Sequence, residues 1–581
     1  MKIPLKEYWT LLSRHIRPQK ARFFLLTVLL LGSIGLQLVN PQIMRRFIDA
    51  ALGGGALQGL LLTATAFIGI ALLQQAVSVS VTYLGENVAW TATNALRAEL
   101  AWHCLNLDMG FHNSHTPGEL IERIDGDIAE LSNFFSQFVV IMVSNILLLA
   151  GILGVLFFED WRTGLAFTLF AIVTLGTLNL VRDIAVPYQK ARRQAEADLY
   201  GFLEEQLTGT EDIRSSGAVD FSLRELFRFQ AAILKHDRKA QLRGFGIEAI
   251  MGIFLTLGSV MAIAAGYLLY NSHLITVGTV YLFIRYMNML EHPIWDLTHQ
   301  MRNFQTIGAC VERLTDLRAI QPTVLDGSNG HFPEGPLTLA FEQVSFAYDS
   351  DEPVLHDLSF RLDKGKVLGL LGRTGSGKTT LTRLVFRLYD PSSGRVLLGG
   401  QDIRQARMAH LRGRVAVVTQ DVQLFRASVR DNLTFFDGSI SDQQIEEAII
   451  ALGLVDWYHS LPKRLDTMLE SGGRSLSAGE AQLLALTRVF LRNPSLVILD
   501  EASSRLDPAT EQRIERAIDK LLMNRTAIII AHRLGTVHRA DQVMILDDGR
   551  VSEFGERSGL AEDPGSKFAQ LLRTGLEEVL V

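Results

Sequence analysis

Five stretches of the chain contain no Asp, Glu, Lys or Arg: Phe23 to Met44, Ala50 to Gly85, Leu131 to Phe158, Thr163 to Val181 and Ala249 to Ile284. Each is long enough for a helix to cross a hydrocarbon core of about 30 Å. The last is interrupted by the polar turn Tyr270-Asn271-Ser272-His273 and continues through Arg285 to Trp295, so it holds two spans. The pattern therefore predicts six membrane helices, over about 23–43, 60–84, 135–157, 163–182, 247–270 and 275–296. Two connections, about 86–134 and 186–246, have few turn-formers and helix-compatible charge patterning, which predicts helices prolonged into the cytosol. Pro117 and Gly118 mark a reversal within the first, after Phe111-His112-Asn113-Ser114, and Thr208-Gly209-Thr210 marks one in the second.

The segment 319–336 is rich in Pro and Gly without helical periodicity and reads as a linker. Beyond it, short apolar runs such as Val367 to Leu371, Val415 to Val418, Leu496 to Leu499 and Ala527 to Ile530 alternate with helix-like stretches. That alternation predicts an α/β domain. The expected organisation is an all-α, six-helix transmembrane domain over 1–318, the linker, and an α/β domain over 337–581.

Composition agrees with two unlike parts. In 581 residues, 48% are hydrophobic and 20% charged, and the mean hydropathy is +0.19. Lys and Arg number 56 against 62 Asp and Glu, a net charge of −6, which leaves no basic excess to hold a nucleic-acid backbone. Cys104 and Cys310 are far apart, so neither a disulfide framework nor a zinc site is expected. Lys2, Lys6, Arg14, Arg17, Lys20 and Arg22 precede the first span with no short apolar core before them, which predicts no cleaved signal and a cytoplasmic amino end. Arg45 and Arg46, just after that span, run against the rule.

The run Gly372-Arg373-Thr374-Gly375-Ser376-Gly377-Lys378-Thr379 fits GxxxxGK[ST], directly after an apolar strand and before a helix candidate that begins Thr380-Leu381. Glycines let successive backbone N–H groups curl around a polyphosphate at a helix N-terminus, Lys378 neutralises the β and γ phosphates, and the Thr379 hydroxyl is a ligand for Mg²⁺. Downstream, Leu496-Val497-Ile498-Leu499 leads into Asp500-Glu501. Asp500 is assigned to the metal and Glu501 to the attacking water.

On these motifs the second half resembles the nucleotide-binding domain of an ATP-binding-cassette (ABC) transporter, and the first the six-span domain of its exporter-type half-transporters. The resemblance covers nearly the whole chain and implies an integral membrane ATPase of a plasma or bacterial inner membrane, nucleotide-binding domain in the cytoplasm, with ATP and Mg²⁺ as cofactors. It implies transport by alternating access, exporting or flipping a hydrophobic or amphipathic substrate. The family's signature, usually Leu-Ser-Gly-Gly-Gln, corresponds to Leu476-Ser477-Ala478-Gly479-Glu480. By that resemblance Ser477 and Gly479 serve the ATP of an opposing subunit, Tyr348 stacks on adenine, and Gln420 joins Mg²⁺ and the attacking water. His532 then contacts the γ-phosphate, and Arg505 departs from the usual small residue in the segment crossing between subunits. Thr116 to Ile124 and Glu205 to Gly217 resemble the two intracellular coupling regions, and Glu470 a residue that contacts them.

Ala478 adds a methyl where glycine lets backbone approach phosphate, and Glu480 puts negative charge near a polyanion. The chain's own phosphate loop and Glu501 are intact while the signature it lends is altered. That asymmetry resembles one half of a heterodimer with a different half-transporter. A homodimer, an importer on the exporter fold and an ATP-gated channel are the alternatives. For the substrate pathway, Gln74, Gln75, Asn145, Glu248, Arg285, Asn288, Glu291 and Trp295 are the polar or amphipathic residues at membrane depth.

Overall fold

The computed structural model describes residues 14, 17–134, 140–182, 186–300, 303–328, 331–348, 352–419, 421–470, 476–500, 508–531 and 537–574. Its contacts separate into two units, Met1–Leu105 with Pro117–Ile320, and Asn106–Thr116 with Gln321–Val581.

Among the described residues the first unit is built of helices joined by turns, with no strand. Lys20–Leu52, Leu57–Asn106, Val140–Glu159, Trp161–Arg182 and Val219–Asn271 contain stretches long and apolar enough to cross a membrane. Leu57–Asn106 and Val219–Asn271 have 50 and 53 residues. At 1.5 Å per residue each is about 75–80 Å long, well over twice the hydrocarbon thickness, so both extend far past the bilayer. Large apolar side chains such as Leu61, Leu62, Leu72, Leu169 and Ile172 remain exposed along these helices, as a lipid-facing surface requires.

The sixth expected span is the helix Val277–Gln300, but composition alone does not mark it as a membrane helix. Arg285, Glu291 and Asp296 lower its hydropathy. The physical reason is its position: Leu282, Phe283, Tyr286, Met287 and Leu290 are fully buried among neighbouring helices, so it need not be apolar all round. Its first turn is fixed by Asp49, whose carboxylate accepts from Gly278 N–H at 2.8 Å and from the Thr276 hydroxyl at 2.7 Å. Arg45, anomalous by the charge rule, is ion-paired to Glu159 and so carries little unbalanced charge.

The predicted reversals are where the long connections break. Gly209 separates Val186–Thr208 from the short helix Thr210–Ser215, and Gly217 turns the chain into Val219–Asn271. In the first connection, Pro117–Ile121 leads into a wide helical turn, Glu122–Asp127, that buries Asp127. Arg313, on the helix Asn303–Ala319, grips that carboxylate with two nitrogens, one at 2.8 Å.

The second unit takes in Asn106–Thr116, a segment the sequence pattern assigns to the membrane domain. The remainder is built on two sheets. Strands β1 (Leu339–Ala347), β2 (Pro353–Leu362), β4 (Ser393–Leu398) and β5 (Gln401–Asp402) form an antiparallel sheet ordered β2-β1-β4-β5. Strands β3 (Val367–Leu371), β6 (Val415–Val418), β7 (Leu496–Asp500), β8 (Thr526–Ile530), β9 (Gln542–Asp547) and β10 (Arg550–Glu556) form the other, ordered β10-β9-β3-β8-β7-β6. All but β10 run parallel in this sheet. β3 and β8 are buried at every position, the mark of a parallel strand covered on both faces. One core, with Phe341 stacked on Phe360, lies between the sheets, and another holds helices such as Asp442–Leu452 and Ala478–Arg492 against the parallel sheet.

Removing one member of the Asp127–Arg313 pair leaves the other without its partner in a closely packed site. Arg313→Met is expected to lower the stability of the first unit by on the order of 2 kcal/mol, because Asp127 is 3% exposed. Thermal unfolding in detergent checks this; an unchanged transition would show that the buried carboxylate finds another donor.

Candidate functional site

Because the strands from β9 to β6 are parallel, the loops that leave their carboxyl ends gather along one edge of the sheet. Gly372 follows β3 there, Asp500 ends β7 two strands away, and β8 lies between them.

The loop 372–377 is shaped by residues that only glycine suits. Gly372 and Gly377 have φ of +153° and +101°. A Cβ at Gly372 would lie 2.3 Å from the Leu546 carbonyl oxygen, and one at Gly377 would lie 2.6 Å from a Leu355 methyl. The loop is also backed by the β9–β10 turn, where Gly549 N–H donates to the Ser376 carbonyl at 3.2 Å. Lys378 is buried, and its ammonium folds back to donate to the carbonyls of Gly372 at 2.6 Å and Arg373 at 2.8 Å.

Lys378 also opens the helix Lys378–Val385, which has no side-chain cap at Gly377. The positive end of its dipole is thus turned to a position where an external anion is favoured. The Ser376 hydroxyl beside them is buried and has no hydrogen-bond partner among the described residues. Arg373, Thr374, Gly375 and Thr379 are exposed, whereas Thr380 is buried. An uncapped helix end, an orphaned hydroxyl and a buried ammonium make a cradle that fits a polyphosphate.

Tyr348 lies alongside this cradle. Its hydroxyl is 3.1 Å from the Thr380 hydroxyl and accepts from Arg383 at 3.0 Å, while 39% of the residue stays exposed. Tyr389 meets it edge to face at 5.1 Å. The Tyr389 oxygen accepts from Asn113 Nδ2 at 2.8 Å, on the short helix Met109–Ser114. Burial pushes the Tyr389 phenol above its usual pKa.

Asp108 caps Met109–Ser114 by accepting from Phe111 N–H, and its other oxygen accepts from the N–H and hydroxyl of Thr323, each at 2.6 Å. Burial opposes the charge on Asp108, but the hydrogen bonds from Thr323 and neighbouring backbone outweigh it and hold the carboxyl below its ordinary range. Motif reading did not find Tyr389, Arg383 or Asn113. Their roles rest on contacts between distant segments, and only the reversal after Asn113 leaves a mark in the sequence.

Ser477 and Gly479 lie elsewhere, at the start of the helix Ala478–Arg492. No hydrogen bond links them to loop 372–377 among the described residues. The Ser477 hydroxyl accepts from Glu480 N–H, and the Glu480 carboxylate accepts from Ser477 N–H and from the Ser477 hydroxyl, both at 2.8 Å. This reciprocal capping box puts a carboxylate of the chain itself at the positive end of the helix. Gln420, Glu501 and His532 lie outside the described residues; in sequence they come just after β6, β7 and β8. No group of three potential metal-binding side chains occurs among the described residues.

Comparison with known proteins adds to this geometry. The family model "ABC transporter transmembrane region" matches residues 23–294, and the model "ABC transporter" matches 355–504. An ATP-dependent lipid A-core flippase of Pseudomonas fluorescens is 30% identical over 99% of this chain and 97% of its own length. A second lipid A-core flippase, from Photobacterium profundum, is 30% identical over 87% and 86%. A putative multidrug export ATP-binding/permease protein, YgaD of Bacillus subtilis, is 28% identical over 94% and 96%. A bacterial Atm1-family ABC exporter solved with ATP bound shares the fold, with a TM-score of 0.77 at 24% identity over 96% and 98% of the two chains.

The φ and close contacts of Gly377 give a direct test of the loop. Gly377→Ala is expected to weaken ATP binding by about ten-fold or more through strain of 1–2 kcal/mol and a displaced Leu355. Equilibrium binding of a fluorescent ATP analogue measures this, and wild-type affinity would contradict the close fit. Transmembrane helices and the nucleotide-type α/β unit are thus joined in one polypeptide, and this chain belongs to the ABC transporters: it is an integral membrane protein of the exporter-type half-transporter architecture, an ATPase coupled to transport.

Proposed function

We propose that the chain is one subunit of a heterodimeric exporter or flippase that moves a hydrophobic or amphipathic substrate by alternating access, six spans to each subunit. The observation that carries the pairing is the capping box at Glu480. The helix end that this family turns toward a partner's ATP already holds a carboxylate on its Ser477 hydroxyl and N–H. A phosphate arriving there meets like charge and finds the donors engaged. By contrast, the chain's own loop, Gly372 to Thr380, keeps every feature that a polyphosphate needs. One competent and one impaired site per dimer favour an unlike partner with an intact signature.

In the competent site Gly372, Arg373, Thr374, Gly375, Ser376 and Gly377 wrap the phosphates with backbone N–H groups. Lys378 offsets the β and γ charges, Thr380 closes the cradle, and Tyr348 stacks on adenine. Thr379, Asp500 and Gln420 are the residues to hold a magnesium ion, whose positive charge draws electron density from the phosphate oxygens. Glu501 orients a water for attack on the γ-phosphorus and takes its proton as the β–γ bridging bond breaks, while His532 steadies the γ-phosphate. Tyr389, between Tyr348 and Asn113, connects the adenine side of this site to the 106–116 segment, which follows directly on the helix Leu57–Asn106.

Two measurements test the assignment. Glu501→Gln is expected to leave ATP binding in place and cut single-turnover hydrolysis by about a hundred-fold or more; an undiminished rate would remove Glu501 from its role. The chain purified alone is expected to hydrolyse ATP slowly, and Glu480→Gln combined with Ala478→Gly to raise that rate several-fold by freeing the helix end. Rapid, transport-coupled hydrolysis by the unmodified chain alone would favour a homodimer and defeat the heterodimer reading.

A further inference from the structure

The transport reading leaves the cargo open, and the first unit holds a cavity whose walls speak to it. The cavity has a volume of about 660 Å³, within the usual range for a small-molecule site. It is lined from Lys20–Leu52, Leu57–Asn106, Val140–Glu159 and above all Val277–Gln300. Tyr281, Arg285, Asn288 and His292 follow the three-and-four spacing of one helix face. The opposite face of the same helix, with Leu282, Tyr286 and Leu290, is buried in the bundle.

The polar lining has a consistent sign. Gln37, Asn40, Gln74, Asn145 and Asn288 contribute amides and Arg285 a guanidinium, and no carboxylate lines the wall. Arg285 forms no ion pair among the described residues. Asp296, on the same helix as Arg285 and outside the lining, accepts from the Asn145 amide N–H at 2.9 Å. A second irregularity lies on the Lys20–Leu52 part of the lining. Pro41 interrupts the Lys20–Leu52 hydrogen-bond ladder, and the buried Asn40 Oδ1 beside it has no partner among the described residues. Apolar surface is mixed in from Phe67, Leu148 and Met289. Of the residues marked in the sequence, Gln74, Asn145, Arg285 and Asn288 come together here, whereas Gln75, Glu248, Glu291 and Trp295 are not among the lining residues.

Arg285 is exposed in this cavity, so its guanidinium can exchange hydrating water for an oxyanion that reaches it. We propose that this cavity binds the anionic headgroup of an amphipathic molecule. Arg285 pairs with its oxyanion, and the amides, including Asn40 as acceptor, take its hydroxyl or amide groups. The apolar wall receives the start of its hydrocarbon part. This proposal rests on the transport reading for its physiological meaning, though not for the binding itself. The ligand chemistry, an oxyanion attached to hydrocarbon, is shared by a bilayer lipid and by a soluble anionic amphipath.

The full chain is reconstituted in nanodiscs of phosphatidylcholine alone or with admixed phosphatidylglycerol, and dodecyl phosphate or dodecyltrimethylammonium is added to the former. Binding is read without ATP from quenching of a fluorophore attached at the cavity rim, and ATPase rate is read in parallel. Arg285→Gln is compared with wild type and with Glu291→Gln, a charge change on the same helix outside the lining. The expected result is saturable binding of the anionic probes, weakened about ten-fold or more by Arg285→Gln and unaffected by Glu291→Gln. A response to phosphatidylglycerol but not dodecyl phosphate supports a lipid source, and the reverse a soluble one. Equal binding of the cationic probe, or equal affinity of Arg285→Gln and wild type, overturns the proposal. Arg285-dependent binding that never alters ATPase rate leaves the binding site standing and counts against the transport reading instead.

Discussion

Two helices of the α/β unit, Lys378–Val385 and Ala478–Arg492, have amino ends of opposite character, and the molecule depends on how those ends are capped. At Lys378–Val385 no side chain among the described residues caps the amino end, and a buried hydroxyl and ammonium lie beside it. Such an arrangement is costly until an anion arrives, which is what makes it a binding site. At Ala478–Arg492 the chain has closed the same kind of opening with Glu480. A carboxylate there gains from the helix dipole and from reciprocal hydrogen bonds, so the helix is more stable and less receptive. The functional asymmetry proposed for the subunit is the difference between these two helix ends.

The sheet explains why the open end is where it is. Parallel strands order their exits along one edge, so residues separated by more than a hundred positions, Gly372 and Asp500 among them, are set two strands apart. Tyr348 and Tyr389 then extend the site sideways to Asn113. The 106–116 segment is held in that unit both by Asn113 and by Asp108, whose carboxylate is stabilised in its charged form by Thr323. A segment belonging in sequence to the membrane half is therefore fixed by packing to the nucleotide half.

Much of this was legible from the residues. The uncharged runs gave the long helices, and the phosphate loop was placed by its glycines and its flanking strand, because local spacing determines both. Val277–Gln300 was harder: one of its faces carries Arg285 into a polar cavity while another is buried in the bundle, and only knowledge of its neighbours distinguishes that from a soluble amphipathic helix. The compensation of Arg45 by Glu159 joins positions 114 residues apart, and no pattern of basic residues could reveal it. Tyr389 carries no motif at all. The substitution at Glu480 was visible as a charge in the wrong place, but that it caps its own helix is a matter of side-chain geometry.

The central claim is that nucleotide held at the Lys378 loop changes the membrane unit. The native cysteines Cys104 and Cys310 are buried, so a single introduced thiol reports with little background. The most direct measurement is the alkylation rate of Asn288→Cys in the full chain, assembled in lipid vesicles, with and without ATP and in the presence or absence of Lys378→Ala. The account predicts a several-fold change in rate on adding ATP that disappears with Lys378→Ala. A rate indifferent to ATP in the otherwise unaltered loop would contradict it.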